Sequence, residues 1–274
     1  MNKVVFLIDG FNVYHSLVDA QRDAEGSPTK WLNLKNLCTS YLPIVRQISN
    51  EKASLEQIYY FSAPPNYSYK KRIDRYNLYI KCLKEHGIIT ELARFKAKDT
   101  FCPNCNSYFV KHEEKETNVA IATRLFEVCK KDEADTIILM TGDTDLSPAV
   151  ISCKKLYPDK YIFFAFPYKR TNIELAKISP ESFSIKLRSY RHNQFPDPLR
   201  LPNDTVIQKP IKWKIETELW KQKPYFKKLN IKMVNKKEDG TQIINFSFIH
   251  KKEYFIGEAK EDRDRMNIEK IKNS

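Results

Sequence analysis

Glycine is scarce, with 6 in 274 residues. The chain contains no GxGxxG run and no glycine-rich phosphate loop, so nucleotide-binding folds of those types have no support. It also lacks any run near the roughly 20 apolar residues that a membrane span requires. Residues 1–8 form one short apolar segment without a small-residue cleavage site, so no signal peptide is expected. The 6 cysteines are scattered, which fits reduced thiols in a cytoplasmic protein and not a disulfide framework. Acidic side chains are the minority charge: 34 Asp and Glu face 47 Lys and Arg, for a net +13. A basic surface favours a polyanionic partner, nucleic acid before membrane. Hydrophobic residues still make up 42% and aromatics 12%, enough to pack a core.

The hydrophobic pattern gives strands alternating with helices. Apolar runs at 3–9 and 135–141 read as buried strands, and 57–62, 88–94 and 159–166 as the second, third and fifth strands. Between them lie helical patterns from about 12, over 34–48 and 67–86, and over 115–131 and 146–156. A short helix near 171–177 and a strand at 182–187 close the unit. Residues 96–112 read as an irregular insertion. This order predicts βαβ units, a mostly parallel sheet with helices on both faces, in one domain over 1–194. Three prolines mark 195–204 as a linker. Residues 205–274 form a more densely basic C-terminal appendage, read as a β-hairpin around "HKKE" followed by a charged helix or tail.

Two strands end in acids at the same expected sheet edge. The first closes on Asp9, the fourth on "TGDTD" with Asp143 and Asp145. If those strands are neighbours, three carboxylates converge and repel. A hard cation such as Mg²⁺ or Mn²⁺ removes that penalty and can activate water against a phosphodiester. The competing reading of each acid is a helix cap or turn aspartate. A phosphatase of the haloacid-dehalogenase type would need a second acid where Phe11 stands.

The stretches "FLIDGFNVYH", "EEKETNVAIATRL" and "ILMTGDTDLSPAV", in this order and spacing, resemble the NYN domain, a family of PIN-like nucleases that includes LabA-like proteins. The match covers roughly residues 3–190. It implies a Rossmann-like PIN-type fold and a metal-dependent ribonuclease using Mg or Mn, with RNA as substrate. It carries Asp9 over as a metal ligand, Asn12 as its hydrogen-bonding companion, Asp143 and Asp145 as the later acidic pair, and Thr141 as a small hydroxyl position. Asn118 falls where the family usually has a metal-binding aspartate, and Arg124 where a further acid is often seen. Asparagine offers a cation a neutral oxygen but no charge. Glu116, or Glu114, would then supply the missing carboxylate. The alternative is an inactive PIN-like module that binds RNA or a protein partner, with the appendage as a docking element; self-association is left open.

Two other features carry chemistry. Cys102 and Cys105 form a single CxxC, two of the four ligands a structural zinc site needs, with His112 as a third; a pair of reduced thiols is the other reading. The stretch 66–81 interleaves aromatics with Lys70, Lys71, Arg72 and Arg75, and 168–172 adds Lys169 and Arg170. These cations are expected RNA contacts, while the tyrosines of 66–81 suit an amphipathic helix.

Overall fold

The computed structural model describes residues 1–24, 28–103, 106–201, 204–214, 229–236, 242–250, 253–260 and 266–270. The chain divides into two units, Met1–Ile215 and Glu216–Ser274. The first unit begins with β1 (Asn2–Asp9), α1 (Gly10–Asp23), α2 (Leu34–Ser40), α3 (Leu42–Ser49) and β2 (Ala53–Ser62). It continues with α4 (Lys70–Glu85), β3 (Ile89–Leu92), β4 (Arg94–Cys102), β5 (Ser107–Lys115) and α5 (Thr117–Lys130). After β6 (Thr136–Met140) and a 3-10 turn (Thr144–Leu146) come α6 (Ser147–Leu156), β7 (Tyr161–Phe166) and α7 (Ile173–Ile178). Strand β8 (Phe183–Ser184), α8 (Leu187–His192), β9 (Leu199–Arg200) and β10 (Val206–Ile207) complete it.

Six strands form one sheet in the order β3-β2-β1-β6-β7-β8, and every pairing is parallel. The chain builds outward from β1 to β3, then returns to add β6 on the other side of β1. The strand order therefore reverses between β1 and β6, where open α/β sheets form their binding crevice. Asp9 and the residues after Met140 sit at that crevice.

Alternation along β1 assigns its side chains to two cores. Val4, Phe6 and Ile8 pack with residues of α1, α2, α3, α4 and α8. Val5 and Leu7 pack with α5, α6 and α7. A strand buried on both faces needs a continuous apolar run, which β1 has. Each fully buried side chain of this kind contributes about 1.5–3 kcal/mol relative to exposure.

Several expectations shift. The helix expected over 34–48 is two, because Pro43 lies in the first turn of α3 and cannot continue a ladder from α2. Within 96–112 the described residues form the antiparallel β4–β5 pair, from Arg94–Lys115 to Cys102–Ser107. Its strands alternate weakly and are largely exposed, so no buried face marked them in the sequence. A helix, α8, follows β8. Residues 195–201, expected in a linker, are part of the first unit: Phe195, Leu199 and Leu201 are buried in its core, and Leu199–Arg200 pairs with Val206–Ile207.

The second unit is a four-stranded antiparallel meander: β11 (Leu229–Lys236), β12 (Gln242–His250), β13 (Glu253–Lys260) and β14 (Met266–Lys270). The expected hairpin is β12–β13. Met266–Lys270, expected in a charged helix or tail, is instead a strand paired with Phe255–Ala259. Its sequence, MNIEK, has the period-2 alternation of a strand. Among the described residues no helix is long and apolar enough to cross a membrane.

Candidate active site at the carboxyl ends of β1 and β6

Asp9 ends β1 and caps α1. Its Oδ1 accepts from the Asn12 backbone N–H at 2.9 Å. Its Oδ2 accepts from the Thr141 hydroxyl at 2.9 Å. The residue is 5% exposed. Burial raises its pKa above the ordinary carboxylate value; the bonds from Asn12 and Thr141 oppose the rise, and the Asp143 charge adds to it.

The loop after β6 is locked to α1. Asn12 Oδ1 accepts from the Gly142 N–H at 3.3 Å. Thr141 Oγ1, while donating to Asp9, accepts from the Asp143 N–H at 3.1 Å. A Cβ on Gly142 would meet the Arg170 carbonyl oxygen at 2.2 Å, and one on Gly10 would meet the Tyr60 ring at 2.4 Å. Both glycines allow close passage of other groups at the crevice, which is why the motifs read "DG" and "TGD".

Asp143 caps the 3-10 turn, its Oδ1 accepting from the Asp145 N–H at 3.0 Å. Asn118, second residue of α5, donates from Nδ2 to Asp143 Oδ2 at 3.0 Å and, at a longer 3.5 Å, to Asp145 Oδ2. Asp145 is exposed. Asp9, Asn12, Thr141, Asp143, Asp145 and Asn118 are thus linked by one hydrogen-bond network.

Glu116 does not join it. The residue takes a left-handed conformation, φ 80°, before α5, and its carboxylate faces Arg94 at 2.6 Å. Glu114 lies nearer. It accepts from the Thr117 hydroxyl at 2.5 Å, and its pKa is raised by burial, opposed by that bond, with a further rise from the Asp9 charge. The β4–β5 hairpin brings Glu114 within range of the Asp9 charge. The sequence signal for it was faint, because nothing marked that hairpin as ordered.

The basic candidates divide. Lys70, Lys71 and Arg72 open α4, and Arg72 acts on His15 through its charge. Arg75 donates to the Tyr69 hydroxyl at 3.1 Å. Lys169 is paired with Asp23 and Arg170 with Asp19, so these two are partly neutralised within the protein. Of the zinc candidates, Cys105 and the Cys102 side chain lie outside the described residues, and His112 stacks on Tyr67 with ring centroids 4.1 Å apart. A groove lined by Tyr41, Phe183, Lys186, Arg188 and His192 runs beside β8 and includes none of the acidic residues.

Comparison with known proteins bears on this geometry. No curated protein matches the chain. A crystal structure of a Vibrio parahaemolyticus protein of unknown function is similar at 17% identity, covering 68% of this chain and 93% of that one, with a TM-score of 0.43. The family model for the NYN domain matches residues 3–186, which include β1, both acidic strand ends and α5. The chain therefore belongs to the NYN domain family, a branch of the PIN-like nucleases.

Proposed function

We propose that the chain is a divalent-metal-dependent endoribonuclease that hydrolyses RNA phosphodiester bonds at the β1–β6 crevice. The supporting observation is buried Asp9, bonded through the Thr141 hydroxyl to the Asp143 backbone N–H and raised in pKa by burial and by the Asp143 charge. Two carboxylates there, one held above its ordinary pKa by burial and by the other's charge, are costly without a cation.

The donor set suits a hard cation in kind, being oxygen throughout. Among the described residues no three acidic, His or Cys side chains converge on one point. The set is therefore Asp9 and Asp143, with Asp145 beside them and the Asn118 amide in place of a further acid. These residues would hold Mg²⁺ or Mn²⁺, which, when bound, supplies an activated water and neutralises charge on the phosphoryl oxygens.

The chain's own residues do the rest. Asn12 and Thr141 fix the Asp9 carboxylate through one bond to each oxygen. Asn12 also pins the Gly142 backbone, so α1 and the loop after β6 hold their spacing. In this reading Glu114, whose pKa is raised by burial and by the Asp9 charge, would accept a proton at its carboxylate as water adds to phosphorus and an ester oxygen leaves. The test is cleavage of labelled single-stranded RNA with Mn²⁺ or Mg²⁺, beside Asp9→Asn. Metal-dependent cleavage lost in the variant supports the reading; equal cleavage by both proteins refutes it.

One observation favours a second reading. The Asn118 amide group donates to both Asp143 and Asp145, so a neutral group already satisfies part of their acceptor capacity. Under that reading the domain binds RNA without turnover. The same assay separates the two, because such a module retains RNA in a gel shift while releasing no product.

A further inference from the structure

A continuous run of aromatic rings begins beside Asp9. Phe11, two residues on, packs edge-on against His15 with centroids 4.5 Å apart and approaches Phe95 of β4 at 6.3 Å. Phe95 meets Tyr67 at 4.9 Å, and Tyr67 stacks on His112 of β5 at 4.1 Å and 15°. These are not core rings: Phe11 is 41% and Tyr67 43% exposed. The hairpin, α1 and the loop before α4 hold a surface of ring faces and edges that starts at Phe11, two residues after Asp9.

The run continues along α1 to a cluster of positive charge. Tyr14 contacts His15 at 5.7 Å, and the Lys30 amine lies 6.0 Å from the Tyr14 ring centre. Arg75 and Lys212 both donate to the Tyr69 hydroxyl, at 3.1 and 3.3 Å, and both lie 5.8 Å from its ring centre. Lys30 has its pKa lowered by burial and then by the Lys212 and Arg75 charges. Among the described residues no Asp or Glu forms an ion pair with any of the three cations. Like charges grouped without a counter-ion are relieved by a polyanion.

Exposed rings and an uncompensated cation cluster on one connected surface fit one ligand class. Every base has a π-face to stack, and every nucleotide brings a phosphate. In a duplex the bases are stacked on each other and their faces are hidden, so a ring surface selects single strands. We propose that Phe11, Phe95, Tyr67 and His112 form a base-stacking track, with Lys30, Arg75 and Lys212 as its phosphate anchor, and that together they lead single-stranded RNA to the acidic site. The identity of the strand rests on the ribonuclease reading; binding itself requires neither metal nor turnover.

The test is fluorescence anisotropy in EDTA, using a labelled RNA of about 12 nucleotides, within the span of common single-strand sites, and its duplex. The single strand is expected to bind about tenfold or more tighter than the duplex. Phe11→Ala with Tyr67→Ala should weaken it by about tenfold or more, and Phe11→Leu, which keeps the bulk but not the ring, should weaken it in the same direction. Lys212→Ala should reduce the slope of log affinity against log salt by about one, as expected for one lost phosphate contact. Circular dichroism and melting confirm that each variant is folded. Equal affinity for duplex, variants that bind like the parent, or displacement of the RNA by polyglutamate at equal charge would each overturn the proposal, the last in favour of an acidic protein partner. Tight, ring-dependent binding without Mn²⁺-dependent cleavage would refute the nuclease reading alone. Cleavage with KM and anisotropy unchanged in the ring variants would refute the track alone.

Discussion

Asp9→Asn is the most informative perturbation of the crevice. Asn at position 9 keeps an oxygen to accept from the Asn12 N–H. Its amide nitrogen replaces Oδ2, so the Thr141 hydroxyl must turn from donor to acceptor; it already accepts from the Asp143 N–H and has a second lone pair to offer. The fold therefore survives, and a buried like-charge interaction with Asp143 is removed. The metal-free variant is expected to be at least as stable as the parent. Its response to metal should differ sharply. A ligand present at 100 times its Kd stabilises a protein by about 2.7 kcal/mol. For a domain of this size each kcal/mol moves Tm by about 2–4 °C, so Mn²⁺ should raise the parent's Tm by roughly 5–10 °C. The variant should show almost no shift at the same concentration. Differential scanning fluorimetry against a Mn²⁺ series, with EDTA reversal, reads this directly. An equal shift in both proteins would refute the assignment of Asp9 to a cation.

Further predictions follow from the same network. The folded pKa of Asp9 is raised above the ordinary 3.8, so its contribution to metal-free stability is fully present below that value and is lost as pH rises through the folded value. Urea unfolding of parent against Asp9→Asn across that window should show the parent losing ground as pH rises, and a constant difference would refute it. Gly142→Ala forces a contact with the Arg170 carbonyl oxygen and should cost about 1–3 kcal/mol by urea unfolding, with cleavage falling alongside. Glu116→Ala removes only an exposed pair with Arg94, costing about 0.2–1 kcal/mol, and should leave kcat within about twofold, a margin too small for loss of proton-transfer catalysis. Glu114→Gln keeps the bond from Thr117 but should lower kcat by about 10²-fold; the reverse ranking of these two variants would reassign the hairpin's contribution.

Legibility follows the range over which a residue's environment is set. β1 and β6 were readable because burial on both faces demands continuous apolar runs, and Asp9 and Asp143 stood out because one ends such a run and the other follows one within three residues. Parallel pairing then had to bring two strand ends to one edge, so the crevice followed from the βαβ order. The β4–β5 hairpin was not readable, because its strands lie mostly in solvent and alternate only weakly. Phe195, Leu199 and Leu201 looked like parts of a linker, because three prolines mask apolar positions that the core buries.

The sequence alone determined the alternating architecture, the family and the acids at the two strand ends, since each depends on local periodicity or on short motifs. Tertiary structure decided which carboxylates lie near Asp9. Glu116 turns toward Arg94 because a positive φ redirects the chain before α5, while Glu114, two residues earlier, is carried by the hairpin into the field of Asp9. It also decided that rings from α1, the loop before α4 and the hairpin touch, and that Lys30, Arg75 and Lys212 gather around two tyrosines. Those groups lie far apart in the chain, and only packing makes them neighbours.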